Sequence, residues 1–169
     1  MDLQAVTELA QKYSDQAQSA TSLSIAAEPE AQLTVPVANF FSAFATEVGL
    51  GDLGLIREAQ LNGVRPDFAA TINQRQCGWV ELKAPGHTLV GEKWRGREKG
   101  QWELLAQLDS LLVTNGEAAA LYVNGALDAE SELPFDDPDS WEPEPFMELL
   151  QKFILAKPCL LYTSPSPRD

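Results

Sequence analysis

The chain has 169 residues, 44% apolar and 22% charged, which is ordinary globular composition in one domain's worth of length, enough for a real core. No apolar run approaches the roughly 20 residues of a membrane span, and the N-terminus lacks the basic-then-apolar order of an export signal. A cytoplasmic protein with no membrane partner is therefore expected. The net charge of −13 runs against a free-standing nucleic-acid binder, which usually presents a basic surface.

Residues 2–20 read as a helix with Val6, Leu9, Ala10, Tyr13 and Ala17 on one side. Its polar face is Gln-rich, and it is expected to be a peripheral addition, joined by a small-residue connector over 21–27. A second helix should start near Glu28-Pro29-Glu30, with proline in the first turn and acids at the positive end. It should run through Val37, Phe40, Phe41, Phe44 and Val48 to Gly49 or Gly51, kinked or divided at Pro36, with the Phe series in the core.

Residues 53–60 predict the first strand. Phe68–Ile72 and Trp79–Lys83 then form a hairpin around the polar Asn73-Gln74-Arg75-Gln76, giving a three-stranded meander. A turn centred near Gln74 or Arg75 sets Asp67 across from Leu82, next to Glu81. Alternation puts Glu81 and Lys83 on one face, Val80 and Leu82 on the other. Two carboxylates and a lysine thus converge at a strand end, just before Pro85-Gly86.

Residues 97–112 predict a helix, with Trp102, Leu105, Leu108 and Leu112 at three- and four-residue steps. Trp94 and Trp102 suit either base stacking or the core, with the core favoured for Trp102. Leu111–Thr114 reads as a short strand, Asn115-Gly116 as a tight turn, and Ala118–Val123 as another strand ending at Asn124-Gly125. Residues 127–145 are acidic, rich in Pro and Asp, and expected as a loop. Residues 146–155 close with an amphipathic helix, Phe146, Leu149, Leu150, Phe153 and Ile154 facing inward. The domain organisation expected is 1–27 helix and connector, 28–157 functional domain, and 158–169 a non-native tail, or alternatively a flexible Ser/Pro tail.

Two adjacent carboxylates repel unless a divalent cation lies between them, and Mg²⁺ accepts one or two carboxylates while keeping waters for substrate phosphate. A lysine on the same face can orient or deprotonate an attacking water and offset charge on a phosphorane-like transition state. Asp67, Glu81 and Lys83 are thus equipment for phosphodiester hydrolysis. On these three residues alone, a surface salt bridge between Glu81 and Lys83 is the competing reading. The only histidine, His87, follows Pro85-Gly86 with no serine motif nearby, so it is taken as a surface-loop residue. Cys77 and Cys159 lack metal-type spacing and read as reduced thiols. Basic residues gather at Lys93, Arg95, Arg97 and Lys99, whereas none occurs from there to Lys152, and acids crowd 128–148. That basic patch is the candidate holder of a DNA backbone.

Pro66-Asp67 followed by Glu81-Leu82-Lys83 resembles the signature of the PD-(D/E)xK nuclease superfamily. The ordered series Gly63-Val64-Arg65-Pro66-Asp67-Phe68, Gly78 to Gly86, Gln101-Trp102-Glu103 and Thr114-Asn115-Gly116 is similar to the N-terminal endonuclease region of bacterial proteins that fuse a restriction endonuclease to an adenine-specific DNA methyltransferase. It covers roughly 28–157. The resemblance implies an α/β restriction-endonuclease-like core, a central mixed sheet flanked by helices. It further implies Mg²⁺ held by Asp67, Glu81, the Leu82 carbonyl and a further acid. Glu30 matches that acid best, with Glu28 its competitor and a plain helix-start acid the other reading. Lys83 would activate water and Gln101 would help position it, unless Gln101 is merely solvated. Double-stranded DNA is the implied partner, with methyltransferase and specificity domains elsewhere in the same chain. Neither the Asn-Pro-Pro-Tyr nor the Asp-Pro-Pro-Tyr motif of such a methyltransferase occurs. The rival from another class is a catalytically inactive nuclease-like scaffold or partner-binding domain of a DNA methyltransferase.

Overall fold

The computed structural model describes residues 1–22, 28–57 and 65–155. The connector over 23–27, the end of the first predicted strand, Gly63-Val64 and the tail lie outside the described residues. Among the described residues, six strands form one sheet in simple sequence order: β1 (Leu53–Arg57), β2 (Phe68–Ile72), β3 (Arg75–Leu82), β4 (Ser110–Thr114), β5 (Ala118–Val123) and β6 (Ala126–Glu132). Only β3 and β4 run parallel, and the other neighbours are antiparallel. The helices are α1 (Leu3–Ser22), α2 (Pro29–Gln32), α3 (Thr34–Glu47), α4 (Arg97–Leu105) and α5 (Glu144–Leu155), with a 3-10 turn at Gly91–Lys93.

Strand alternation sorts the apolar residues into two layers. Leu53, Phe68, Val80, Leu82, Leu112 and Leu121 join the buried faces of α1, α3 and α5. Leu111, Val113, Ala120 and Tyr122 face the other way, onto Trp94, Trp102 and Leu105, with Trp79 against them. Trp79, Glu81 and Lys83 therefore share the α4 side of β3. The 3-10 turn lies hard on Trp102: a Cβ on Gly91 would stand 2.1 Å from its ring.

Four expectations are corrected. The N-terminal helix is not peripheral, because Val6, Tyr13 and Ala17 are buried in the main core. The Tyr13 hydroxyl donates to the Gly116 carbonyl at 2.6 Å, and its ring stacks on Phe40. The second helix divides at Leu33, a turn before Pro36: proline cannot donate to the Gln32 carbonyl, so it is accommodated in the first turn of a new helix. The helix expected over 97–112 ends at Leu105, and Leu111 and Leu112 belong to β4. That strand is buried at every position, and its run of apolar residues follows from cover on both faces rather than from helical period. The loop expected over 127–145 contains β6. Asn124 (φ 52°) and Gly125 (φ 81°) make a two-residue hairpin turn, so the Asn-Gly pair starts a new strand as well as ending β5. β6 is an exposed edge strand, and its acidic sequence carries no apolar alternation.

Tyr13→Phe removes one hydrogen bond from a buried carbonyl. It should destabilise the fold by about 1–3 kcal/mol and lower the thermal midpoint by several degrees. An unchanged midpoint in thermal unfolding would show that α1 is not locked to the β4–β5 turn in this way.

Candidate functional site

The hairpin register decides where Asp67 goes. Phe68 pairs with Val80 and Ala69 with Trp79, and an irregularity between Ala70 and Thr71 takes up the shift toward the turn. The turn is tighter than the sequence predicts. Asn73 (φ 50°) and Gln74 (φ 71°) form it, and Arg75 and Gln76 already belong to β3. Asp67, one residue before β2, accepts the Leu82 N–H at 2.7 Å through Oδ2. The carboxylate and the end of β3 are thereby tied together, but with Phe68 opposite Val80 the register carries on to Asp67 opposite Glu81, one residue from the Leu82 expected, because the turn is centred earlier.

Glu81 pairs with Val113 in the parallel ladder, and the Lys83 N–H continues that ladder to the Thr114 carbonyl at 2.8 Å. The connection between β3 and β4 then returns α4 over these side chains. Gln101 bridges them: its Nε2 donates to Glu81 Oε2 at 2.9 Å, and its Oε1 accepts from Lys83 Nζ at 3.1 Å. Glu98, one helical turn earlier, accepts from Lys83 Nζ at 2.9 Å. The ammonium lies 3.8 Å from Glu81 Oε2 and 4.2 Å from the centroid of the Trp94 ring. Glu81 and Lys83 are each 3% exposed, so their contact is buried and is not a surface salt bridge.

Burial raises the Glu81 carboxyl to about 8, and the charge of Asp67 adds to the rise while Lys83 opposes it. Asp67 is raised as well, by desolvation first, against the Leu82 N–H and the charge of Lys83. Glu30 on α2 is half-buried and raised. Desolvation leads, the charge of Lys83 opposes it, and a hydrogen bond to Glu28 and the charge of Asp67 add to it. Glu30 thus feels both Lys83 and Asp67, and Glu28 is its hydrogen-bonded neighbour. Glu98 is lowered, chiefly by its hydrogen bond to His87.

Glu81 Oε1 is buried and has no hydrogen-bond partner among the described residues. A proton or a cation would satisfy it, and Asp67 beside it offers a second hard oxygen donor. Among the described residues no group of three or more His, Cys, Asp or Glu is arranged to hold a metal. The fit to a divalent ion therefore rests on the Asp67–Glu81 pair and this orphaned oxygen, with Glu30 at the margin.

The structure thus brings Asp67, Glu81, Lys83 and Gln101 together and sets Glu30 within electrostatic reach. Lys93, Arg95, Arg97 and Lys99 are all exposed, Lys93 on the 3-10 turn, Arg95 in the link after it, and Arg97 and Lys99 in the first turn of α4. Trp94 and Trp102 are buried, so neither ring is free to stack on a base. His87 is not a loose loop residue: its Nε2 lies 2.9 Å from Glu98 Oε1. The sequence reading missed Glu98. Its signal was the three-residue step to Gln101, which sets both side chains on one face of α4.

With its six-stranded mixed sheet flanked by helices, the chain is an α/β protein with a restriction-endonuclease-like core. No family model and no curated protein matches it. It is similar in fold to the cryo-EM structure of a DrdV–DNA complex, with a TM-score of 0.62 at 20% sequence identity, over 90% of this chain. The matched region is 14% of that chain. Among the described residues, no helix is long and apolar enough to cross a membrane.

The raised Glu81 carboxyl makes stability depend on pH. Its folded value is about 8 against an ordinary 4.5, so the metal-free folded state binds more proton than the unfolded chain between those limits. That contribution is full below about pH 4.5 and is lost as pH rises through 8. Glu81→Gln, which cannot ionise, should flatten the decline and melt higher than wild type at pH 8. Equal slopes of midpoint against pH in the two metal-free proteins would contradict the buried, protonated Glu81.

Proposed function

We propose that this chain is the Mg²⁺-dependent DNA endonuclease domain of a restriction–modification protein of the PD-(D/E)xK superfamily, hydrolysing phosphodiester bonds in double-stranded DNA. One observation carries the reading: a buried carboxylate with an orphaned oxygen sits beside a second carboxylate, while a buried lysine and a glutamine are tied to it on the same face. The fold likeness to a chain solved in complex with DNA supports it.

Asp67 and Glu81 would hold Mg²⁺, assisted by the Leu82 carbonyl and Glu30. The ion when bound would supply Lewis acidity to the scissile phosphate and a bound water of lowered pKa. The Lys83 ammonium offsets negative charge that develops on the phosphoryl oxygens and orients the attacking water. Gln101 fixes both Glu81 and Lys83 through its two amide ends, which sets their spacing before substrate arrives. Lys93, Arg95, Arg97 and Lys99 would take the DNA backbone beside the site. The acids of β6 lie on the last strand of the sheet, three strands from β3. Sequence choice and methylation would belong to further domains of the same protein.

Linear and plasmid DNA of mixed sequence should be cut with Mg²⁺ or Mn²⁺ and left intact in excess chelator. Lys83→Ala and Asp67→Ala should each lower the single-turnover rate by about 10²–10³-fold or more. Cleavage that survives Lys83→Ala in a clean preparation would remove the lysine from the chemistry. A chain that neither cuts nor binds Mg²⁺ would be the inactive scaffold.

A further inference from the structure

Lys83 Nζ has three hydrogens to place as an ammonium. Glu98 Oε2 at 2.9 Å and Gln101 Oε1 at 3.1 Å accept two of them. The next oxygen, Glu81 Oε2, is 3.8 Å away, beyond hydrogen-bond range, and the Trp94 face closes another side. One N–H is left uncommitted among the described residues.

Glu98 is itself held. His87 Nε2 lies 2.9 Å from its other oxygen, and His87 Nδ1 lies 2.8 Å from the Thr88 carbonyl. The loop that carries the ring is fixed in turn. Trp94 Nε1 donates to the Thr88 carbonyl at 2.9 Å, Asn115 Nδ2 donates to the His87 carbonyl at 2.8 Å, and the ring stands edge-on to Trp94. The side chain of Glu98 is 39% exposed, yet it binds an ammonium whose residue is 3% exposed. It is the solvent-side wall of a buried cation, a different case from the exposed ion pairs that contribute little.

We propose that Glu98, steadied by His87, is a positioning residue for Lys83: together with Gln101 it fixes the ammonium so that one N–H stays available for a phosphate oxygen of the DNA backbone. This rests on the nuclease reading, and it adds two residues to the site. Glu98 acts by geometry, because it takes one donor direction and leaves another. His87 acts only through Glu98.

Two readouts test it, one with DNA and one without. In single-turnover cleavage, Glu98→Ala should lose about tenfold or more in rate at saturating DNA, while the half-saturating DNA concentration stays within about twofold. Glu98→Gln keeps an acceptor oxygen for Lys83 and should recover most of the rate. His87→Ala should slow the wild type and add nothing to Glu98→Ala, the non-additivity expected of residues in one chain of contacts. A Glu98→Ala enzyme with wild-type rate, or full additivity with His87→Ala, would overturn the proposal. Without DNA, reductive dimethylation of Lys83, followed by peptide mass spectrometry on protein of unchanged near-ultraviolet circular dichroism, should be faster in Glu98→Ala than in wild type or Glu98→Gln. Equal labelling in all three would also overturn it. If the wild type never cuts DNA while the labelling follows this order, the nuclease reading fails and the brace on Lys83 stands.

Discussion

Glu81 and Lys83 lie two residues apart on one face of β3, both almost wholly out of water. Burying an ionised side chain costs several kcal/mol; the Glu81 carboxyl is raised to about 8 in response, and the Lys83 ammonium is offset by further hydrogen bonds. The surroundings supply those partners: Gln101 to both, Glu98 to the lysine, and the Trp94 face below the ammonium. One atom is left out, Glu81 Oε1. A pair of apolar residues would fill the same space with equal or better stability.

The parallel pair in the sheet is what makes this arrangement possible. Antiparallel neighbours can be joined by two residues, as Asn73-Gln74 and Asn124-Gly125 show. Parallel β3 and β4 need a long crossover, and the segment between them carries the 3-10 turn, Trp94 and α4. The crossover must pass back over one face of β3, the face that bears Trp79, Glu81 and Lys83. Trp102 and Leu105 anchor α4 in the second core layer. Glu98 and Gln101, a turn apart, then reach the ions. Asp67 arrives from the other side, through the β2–β3 hairpin and its bond to the Leu82 N–H. The acids of β6 lie on the last strand of the sheet, and Lys93, Arg95, Arg97 and Lys99 are exposed from the 3-10 turn to the first turn of α4.

Much of this was legible in the sequence, and the misses have physical causes. The Phe68–Ile72 and Trp79–Lys83 alternation gave the hairpin and the shared face of Glu81 and Lys83, because a half-covered strand writes its period into its residues. β4 is covered on both faces, so Leu112 also matched a helical step with Leu105 and Leu108, and the helix was drawn too long, although Leu111–Thr114 was also read as the strand it is. β6 is exposed at an edge, so it has no apolar period at all and only its Asn-Gly turn could announce it. The division at Leu33 was displaced from Pro36 because a proline dictates what precedes it. His87 was read as a surface-loop residue, and Glu98 was not singled out. Their roles come from a crossover that brings residues 87 and 98 against residue 83, a contact that no local pattern encodes.

The account turns on whether the Asp67–Glu81 pair takes a divalent cation. Thermal unfolding at pH 7.5, with and without millimolar Mg²⁺ or Mn²⁺, on wild type and Asp67→Ala, tests this directly. A ligand that binds only the folded chain at 100 times its dissociation constant adds about 2.7 kcal/mol, which raises the midpoint by several degrees in a domain of this size. The account predicts that rise in the wild type and its loss in Asp67→Ala. No rise in the wild type, or the same rise in both proteins, would contradict it.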